Sequence, residues 1–326
     1  FVFGSALTSP FLDCIGPRYF ATLGLMIEAI GHHLLAQIAS YHLEEGVMIL
    51  SVACGMIGIG GNMLMLASIQ FSNLFKNPCT VAAMMSGAYQ FAGFIFTLLK
   101  FIHFDAFFQA YELITAVGMC LTFVCYPNEP YTSVQTPTCS WPKMLCIKRQ
   151  PRVLAACKNC LVPLQLTRTW LFLSAFSLGA TCGAWCSGTF LQEVTLKATI
   201  GDQHAVQTFI IWMPLVSNAT FLFSPCIGML IDSYGFIPAV QILWSTVVSS
   251  VLSLWLLPMS YQWWTLLSLN WLQTVTYSLQ FTYIAQRYPS DQFGVVMAFS
   301  TVAQSAVNLL GLYLLTRPPK LAALVF

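Results

Sequence analysis

Charged residues are scarce in this chain, and their scarcity excludes most soluble folds. Of 326 residues, 7% are Asp, Glu, Lys or Arg, whereas soluble domains carry about 25%. Alternation of apolar and polar residues at period two is also missing, which argues against a transmembrane β-barrel. The net charge is +2 and no basic stripe with interleaved aromatics occurs, so nothing indicates nucleic-acid binding.

Patterns that carry catalysis are missing as well. The sequence contains no G-x-S-x-G, H-E-x-x-H or P-loop motif, and its five scattered histidines are too few for a membrane di-iron site. Most of the twelve cysteines stand in apolar stretches, where cysteine packs as a small apolar side chain. Cys157 and Cys160 form an isolated C-x-x-C, for which unpaired thiols are a simpler interpretation than a zinc site. We expect no enzyme activity, no cofactor and no metal centre.

Long apolar runs dominate what is present. Hydrophobic residues make up 57% of the chain, and they gather into stretches of about 20 residues, the length that crosses a bilayer as a helix. These runs predict an all-α, polytopic membrane protein. Both chain ends fall inside apolar stretches, so we expect a fragment of a longer protein. We predict the tail of one helix at 1–11 and further spans at 19–40, 47–71, 78–102, 107–126, 169–191, 206–231, 237–257, 261–284 and 294–315.

A polar, proline-rich segment divides the predicted spans into two halves. It covers residues 127–168 and separates an N-terminal half, 1–126, from a C-terminal half, 169–326. Successive loops lie on opposite sides of the membrane and differ in their content of Lys and Arg. Nine Lys and Arg residues lie on the side that holds this segment, and four lie on the other side. Cytoplasmic loops are the richer in Lys and Arg. The sequence therefore predicts a cytoplasmic connection between the halves.

Two similar polar turns interrupt the apolar runs, one in each half. The first reads SPFLDCIGPR and contains Asp13; the second reads SPCIGMLIDSYG and contains Asp232. Glycine and proline permit a tight turn where a helix ends, and a carboxylate there can accept hydrogen bonds from the N-terminus of a neighbouring helix. Equivalent turns in two halves are typical of transporters whose halves rock about a central site. Ordinary polar turns are the alternative interpretation.

These turns resemble the loop motif of the major facilitator superfamily. The first copy departs from that motif, because Cys14 stands where a basic residue is common and its glycine lies further from the aspartate. The resemblance implies a fold of two six-helix halves, with the first helix and most of the twelfth outside this chain. It also implies that the motif residues form gating loops. They are Gly4, Asp13, Gly16 and Arg18 in the first copy and Gly228, Asp232 and Gly235 in the second.

Other segments resemble one branch of that superfamily, solute carrier family 43. They are YPSDQFGVVMAFSTVAQS at 288–305, MMSGAYQFAGFIFTLLKF at 84–101, and the stretches FSPCIGMLIDSYG and WCSGTFLQEV. Members of that family and its relatives move amino acids or nucleobases. The resemblance therefore implies a small organic nutrient as the solute.

The resemblance also implies which helices line a solute cavity. Polar residues inside membrane helices usually face a cavity or another helix, and those in the implied lining helices are all uncharged. Uncharged hydrogen-bonding groups among aromatics suit a neutral or zwitterionic organic solute. For any one residue, packing between helices is an equally good explanation. The candidates are Asn62, Tyr89, Gln90, Thr181, Ser187, Asn218, Asn270, Gln273, Tyr277, Gln304 and Asn308.

Ionisable residues also stand inside predicted spans. Glu28 and His32, four residues apart, share one helix face and could relay a proton. The superfamily resemblance implies a peripheral helix there, for which a structural hydrogen bond is the more economical interpretation. Glu112 has the same interpretation.

Together these observations predict transport by alternating access of an amino acid or nucleobase, through facilitated diffusion. A proton-coupled symporter or exporter is the alternative within the superfamily, and a multi-helix receptor is the alternative outside it. The expected partners are the solute and the lipid bilayer, without nucleic acid. We expect a monomer in the plasma membrane.

Overall fold

The structure, a computed structural model, describes residues 2–38, 43–95, 99, 102–127, 167–197, 203–289 and 292–315. Every regular element in these ranges is helical, as the apolar runs predict. The connection 128–166, with Cys157 and Cys160, lies outside the described residues. The α-helices are α1 (Val2–Ile15), α2 (Pro17–Ala36), α3 (Leu43–Ile69), α4 (Pro78–Ile95), α5 (Phe104–Cys125), α6 (Thr167–Lys197), α7 (Gln203–Ala219), α8 (Ser224–Tyr234), α9 (Phe236–Leu256), α10 (Gln262–Arg287) and α11 (Phe293–Leu315).

Several of these helices are suited to a membrane. On α5, Leu113 and Ile114 are 67% and 62% exposed, so the outward face of that helix is apolar. Helices of this kind satisfy their own backbone groups and can therefore lie in lipid. The chain is a multi-pass membrane protein. Five helical segments in the described ranges have the length and hydropathy to cross a bilayer: Pro17–Ala36, Gly46–Leu74, Phe104–Cys125, Thr167–Phe190 and Phe236–Leu256.

The span predicted at 206–231 is broken into two helices. α7 ends at Ala219, one 3-10 turn covers Thr220–Phe223, and α8 follows. Pro225, at the start of α8, has no backbone N–H, and its ring crowds the carbonyl four residues earlier. The α-helical hydrogen bonds therefore cannot run unbroken through this point. Helix ends are left inside an apolar segment, where their polar groups need partners.

The chain forms two compact units. The first contains α1, α2, α3 and α5 together with Ile284–Thr301. In this unit α2 packs against α3 and α5. Gly24 of α2 and Gly60 of α3 face each other so closely that a methyl group on either would strike the backbone carbonyl of the other. Small residues thus let these two helices approach at backbone distance.

The second unit contains α4, α6, α7, α8, α9, the part of α10 up to Tyr283 and the part of α11 from Val302. The units are therefore not the two sequence halves: α4 comes from the N-terminal half, and the start of α11 lies in the first unit. The core of the second unit is apolar. Its large buried side chains on α6, α9 and α10 include Trp185, Phe190, Leu243, Leu266 and Leu272.

Candidate functional site

The first aspartate turn contacts the start of α11. Asp13, near the end of α1, is 7% exposed. Its two carboxylate oxygens accept hydrogen bonds from the backbone N–H groups of Gly294 and Val295, each at 2.8 Å. These N–H groups belong to the first turn of α11, where a helix has no acceptor of its own and its dipole is positive. We name this contact the first clamp.

The second aspartate turn makes the same kind of contact with the start of α4. Asp232, near the end of α8, accepts hydrogen bonds from the backbone N–H groups of Cys79 and Thr80, at 3.2 and 2.8 Å. The Thr80 hydroxyl donates a third, at 2.7 Å. Partial burial by itself raises the pKa of Asp232, but these hydrogen bonds outweigh it and lower the pKa below its ordinary value of 3.8. We name this contact the second clamp.

A glycine follows each clamp aspartate by three residues and turns the chain in the same way. Gly16 has φ 82° and Gly235 has φ 83°. This left-handed region is open to glycine and costly for residues with a Cβ atom. Each glycine separates two consecutive helices, α1 from α2 and α8 from α9. The two sequence motifs are therefore equivalent in backbone conformation as well as in residue type.

In both clamps the two helices approach to backbone distance, and a glycine permits this approach. The glycine lies on the helix whose start is bound in the first clamp and on the helix that carries the aspartate in the second. In the first clamp, a methyl group on Gly294 of α11 would overlap the carbonyl oxygen of Ser9 on α1. In the second, a methyl group on Gly228 of α8 would lie 2.5 Å from the carbonyl oxygen of Cys79 on α4. Ser9 and Gly228 each stand four residues before the clamp aspartate. Both clamps therefore have the same close approach of two helices, but the glycine is on α11 in the first clamp and on α8, the aspartate-bearing helix, in the second.

Two further motif residues support the first turn. Arg18 is 5% exposed; its Nε donates to the carbonyl of Tyr126, and its backbone N–H donates to the carbonyl of Pro127 at 3.2 Å. It therefore fastens the end of α5 to the start of α2. Gly4 packs so closely against Ile59 of α3 that a methyl group there would strike the side chain.

Four predicted cavity residues meet in the second unit. The Thr181 hydroxyl of α6 donates to Oδ1 of Asn308 on α11, at 2.9 Å. Tyr277 of α10 lies near the side chain of Gln304, one turn before Asn308 on α11. Thr181 is fully buried, and Gln304 is 8% exposed. We name these four residues the polar cluster.

The other predicted cavity residues have varied positions. Asn62, on α3 in the first unit, is 3% exposed, and its Nδ2 has no hydrogen-bond partner among the described residues. Asn270 is buried and donates to the carbonyl of Leu266 in its own helix, at 2.8 Å. Ser187 is half-buried and Gln273 is exposed. The side chains of three more lie outside the described part of the structure: Tyr89, Gln90 and Asn218.

A ladder of hydroxyl groups, which the sequence analysis missed, joins the broken helix to α10. Thr274 donates to Thr220 at 2.8 Å, and Ser224 and Ser278 share a hydrogen bond of 2.7 Å. Ser224 also donates to the carbonyl of Ala83 on α4. The signal was present in the sequence as two Thr-x-x-x-Ser spacings, one at the helix break and one on α10. These bonds connect the broken helix to α10 and α4 next to the break.

Metal ligation has no support in the described ranges, where no group of three or more His, Cys, Asp or Glu side chains is arranged to hold an ion. The thiols of Cys182 and Cys186, one turn apart on α6, are both free and buried. They lie in the core of the second unit, so the packing role expected from the sequence describes them.

Comparisons with known proteins give a likeness in fold. A scan with protein-family models gives no match, and a sequence search against curated proteins gives none. Among solved structures, the chain is similar to the human organic anion transporter MFSD10, with a TM-score of 0.54 and 16% sequence identity over 95% of this chain and 74% of that one. At this identity the likeness concerns the fold alone. The described helices therefore share the fold of that structure.

Proposed function

We propose that the chain moves a small, neutral or zwitterionic organic nutrient across a membrane by alternating access. The observation that carries this proposal is the pair of clamps. Asp13 comes from the N-terminal half and meets the start of α11 from the C-terminal half; Asp232 comes from the C-terminal half and meets the start of α4 from the N-terminal half. Contacts at two equivalent points, each joining both halves, can form in one access state and break in the other.

The clamp chemistry fits a contact that breaks and reforms. A carboxylate on a helix N-terminus satisfies N–H groups that water can satisfy equally well once the helix end is solvated. Breaking the clamp therefore leaves no buried donor without a partner, provided that water enters. In this proposal the motif residues Gly4, Gly16, Arg18, Gly228 and Gly235 hold the two aspartates in position.

The polar cluster supports an uncharged recognition site. Oδ1 of Asn308 already accepts the Thr181 hydroxyl, which leaves the Nδ2 amino group to donate to a carbonyl or carboxylate oxygen of the solute. The Tyr277 ring is stacked near Phe281, with centroids 6.4 Å apart, and offers an aromatic surface. The cluster contains no Asp, Glu, His, Lys or Arg. These groups favour a neutral or zwitterionic solute. They supply no positive charge to bind an organic anion, the class of solute in the name of the human transporter.

The finer identity of the solute follows from the resemblance to solute carrier family 43. On that basis we propose an amino acid or a nucleobase, carried by a monomer in the plasma membrane. Facilitated diffusion needs the fewest assumptions, because solute binding alone can bias the equilibrium between access states. A proton-coupled symporter or exporter would need an ionisable group whose protonation differs between those states.

Uptake into proteoliposomes that contain the complete protein tests the proposal. Labelled neutral amino acids, nucleobases and sugars are compared with and without a pH gradient. We expect saturable uptake of one of the first two classes, reaching equilibrium and no further. Binding of a solute without any flux would favour a receptor. Accumulation that requires the gradient and disappears in Glu28→Gln would favour a symporter.

The cluster itself is tested by Asn308→Ala, with Gln273→Ala as the matched control. Both are amide residues predicted to line the cavity, but Asn308 belongs to the cluster and Gln273 is exposed on α10. We expect the half-saturation concentration to rise about tenfold in Asn308→Ala, since a lost hydrogen bond is worth about 1 to 1.5 kcal/mol. Equal effects of the two variants would remove the cluster from the solute site.

A further inference from the structure

The seam between α2 and α5 carries two Glu–His pairs that the proposed transport cycle does not use. In the inner pair, Nε2 of His32 lies 3.5 Å from Oε1 of Glu28, and the two side chains are 1% and 16% exposed. In the outer pair, Nδ1 of His33 on α2 lies 3.2 Å from both carboxylate oxygens of Glu112 on α5. The outer side chains are 50% and 38% exposed.

Aromatic rings surround the inner imidazole. The His32 ring is stacked on Phe108, with centroids 5.8 Å apart, and it lies 5.1 Å from the ring of Tyr111. Neither ring nitrogen has a hydrogen-bond partner among the described residues. The 3.5 Å separation from Glu28 exceeds the 2.7–3.2 Å of an ordinary N–H···O bond. Among the described residues, Glu28 is the carboxylate that the structure brings near this fully buried imidazole.

Glu28 has no Lys or Arg to balance its charge on the helices that pack around it. α3 and α5 contain no Lys or Arg, and the only one on α2 is Arg18, whose Nε donates to Tyr126. Glu28 lies ten residues beyond Arg18, about 15 Å along the helix axis. From α3, Gly60 packs against Glu28 and offers no charge. A carboxylate held inside a membrane segment without a counter-ion is costly. A proton, on the carboxyl group or on His32, is what remains to balance it.

Other titratable groups lie on the packed helices. From α5, Tyr111 faces His32 and Glu112 faces His33, and Asp105, Cys120 and Cys125 are exposed. From α1, the titratable residues are Asp13, which is held in the first clamp, and Cys14. From α3 they are the exposed Cys54 and, with side chains outside the described part of the structure, Glu44 and Glu45. Among the described side chains, the Glu and His residues that pair at the seam are Glu28, His32, His33 and Glu112.

We propose that Glu28 and His32 form a proton-binding site that is loaded through the outer pair. His33 follows His32 on α2, and Glu112 follows Tyr111, the ring next to His32, on α5. Each residue of the exposed pair is thus the chain neighbour of His32 or of a ring that contacts it. On loading, a proton from the outer pair adds to a neutral His32 beside an ionised Glu28, and the inner pair goes from a net charge of −1 to zero. On unloading the same N–H or O–H bond breaks. This site goes beyond the proposed transport function and does not depend on the identity of the solute.

Two measurements without any solute test the site, on the purified complete protein. The first is the melting temperature between pH 6 and pH 8.5. Only the loaded pair is electrically neutral, so proton exchange at this site should make the melting temperature of the wild type depend on pH. Glu28→Gln and His32→Gln should each remove at least half of that dependence. The matched control is His103→Gln, an exposed histidine at the start of α5, which should leave the profile unchanged.

The second measurement is infrared difference spectroscopy of the wild type between the same two pH values. For the wild type we expect a band from a carboxyl or imidazole group that shifts in heavy water. In Glu112→Gln the path to the outside is interrupted, so the exchange of hydrogen for deuterium that causes this shift should be slower. This result does not require the inner variants to fold. The proposal fails if the wild type shows no such band, or if the melting profile of the wild type survives in both Glu28→Gln and His32→Gln.

Discussion

The two clamps have the same hydrogen-bond pattern but different solvent exposure, and this predicts unequal effects of the same substitution. Asp13 is 7% exposed, whereas Asp232 is largely exposed. In Asp13→Asn, one amide oxygen still accepts, but the amino group faces a backbone N–H that is then left without a partner. Hydrogen bonds to charged groups contribute about 1.5–3 kcal/mol, and an unsatisfied buried donor costs a similar amount. We expect Asp13→Asn to weaken the first clamp by about 2–4 kcal/mol, including the lost interaction with the helix dipole.

Water screens the second clamp, so its loss should matter less. Exposed ion pairs and charge-assisted contacts typically contribute between zero and about 1 kcal/mol, and three donors raise the estimate for Asp232→Asn to about 0.5–1.5 kcal/mol. The open population should therefore rise about 30- to 700-fold in Asp13→Asn and about 2- to 12-fold in Asp232→Asn. Two native thiols report these openings. Cys14 is half-buried beside Asp13, and Cys79, which donates its backbone N–H to Asp232, is 6% exposed.

Maleimide labelling of proteins that retain only Cys14 or only Cys79 gives the assay. When opening and closing are fast, the labelling rate follows the open population. The control is Asp105→Asn, an exposed aspartate in the first turn of α5, which should change neither rate. The two increases in labelling rate are then compared: that of Cys79 in Asp232→Asn and that of Cys14 in Asp13→Asn. A larger increase for Cys79 would refute the link between the exposure of the aspartate and the strength of the clamp.

Further predictions concern pH, topology and the hydroxyl ladder. Because the pKa of Asp232 is lowered, the stability that its ionised form contributes is present above pH 3.8 and is lost as the pH falls through the lower pKa of the folded state. The labelling rate of Cys79, divided by that of the same thiol in the unfolded protein at each pH to remove the change in thiolate fraction, should therefore be constant from pH 5 to pH 8. A rise of this ratio at pH 5 would contradict the shift. Cysteines introduced at 140–160 should react from the cytoplasm and those at 195–205 from the opposite side, and reaction of both from one side would overturn the span count. Ser278→Ala should lower the melting temperature by several degrees, because Ser224 loses a buried partner, whereas Ser268→Ala, which removes a bond within α10 to Thr265, should change it less.

Residue type and spacing predicted the elements of this fold but not their partners. The apolar runs predicted an all-α membrane protein, and the Asp-x-x-Gly spacing predicted both turns, because glycine with positive φ is a local requirement. The contact of Asp13 with Gly294 spans 281 positions, and that of Asp232 with Thr80 spans 152. No local pattern specifies which helix start receives a carboxylate, since every helix N-terminus offers the same N–H groups.

The polar cluster shows where a pattern is ambiguous in principle. A polar residue in an apolar helix can face a neighbour, a cavity or its own backbone, and the sequence does not distinguish these cases. Asn308 bonds to Thr181 of another helix, while Asn270 bonds to Leu266 one turn away in its own helix. The break at Thr220–Phe223 was hidden for a related reason, because mean hydropathy across 206–231 does not register that Pro225 interrupts the hydrogen bonds.

The different location of the glycine in the two clamps accounts for Ser9 in the first motif, and it predicts where each clamp fails. The second copy has Gly228 four residues before its aspartate, and the first copy has Ser9 at that point. The structure supplies the missing glycine from the partner, as Gly294 of α11 against the carbonyl of Ser9. One glycine per contact is enough, because the approach is limited by a single Cβ atom.

Gly294→Ala should therefore open the first clamp and Gly228→Ala the second, each lowering the melting temperature by the equivalent of about 1–3 kcal/mol of overpacking. Gly55→Ala on α3, where a methyl group meets nothing within 4 Å, should be neutral or stabilising, since alanine is the better helix former by about 1 kcal/mol. A Gly294→Ala protein that melts like Gly55→Ala and labels Cys14 at the wild-type rate would show that the backbone contact does not hold the clamp.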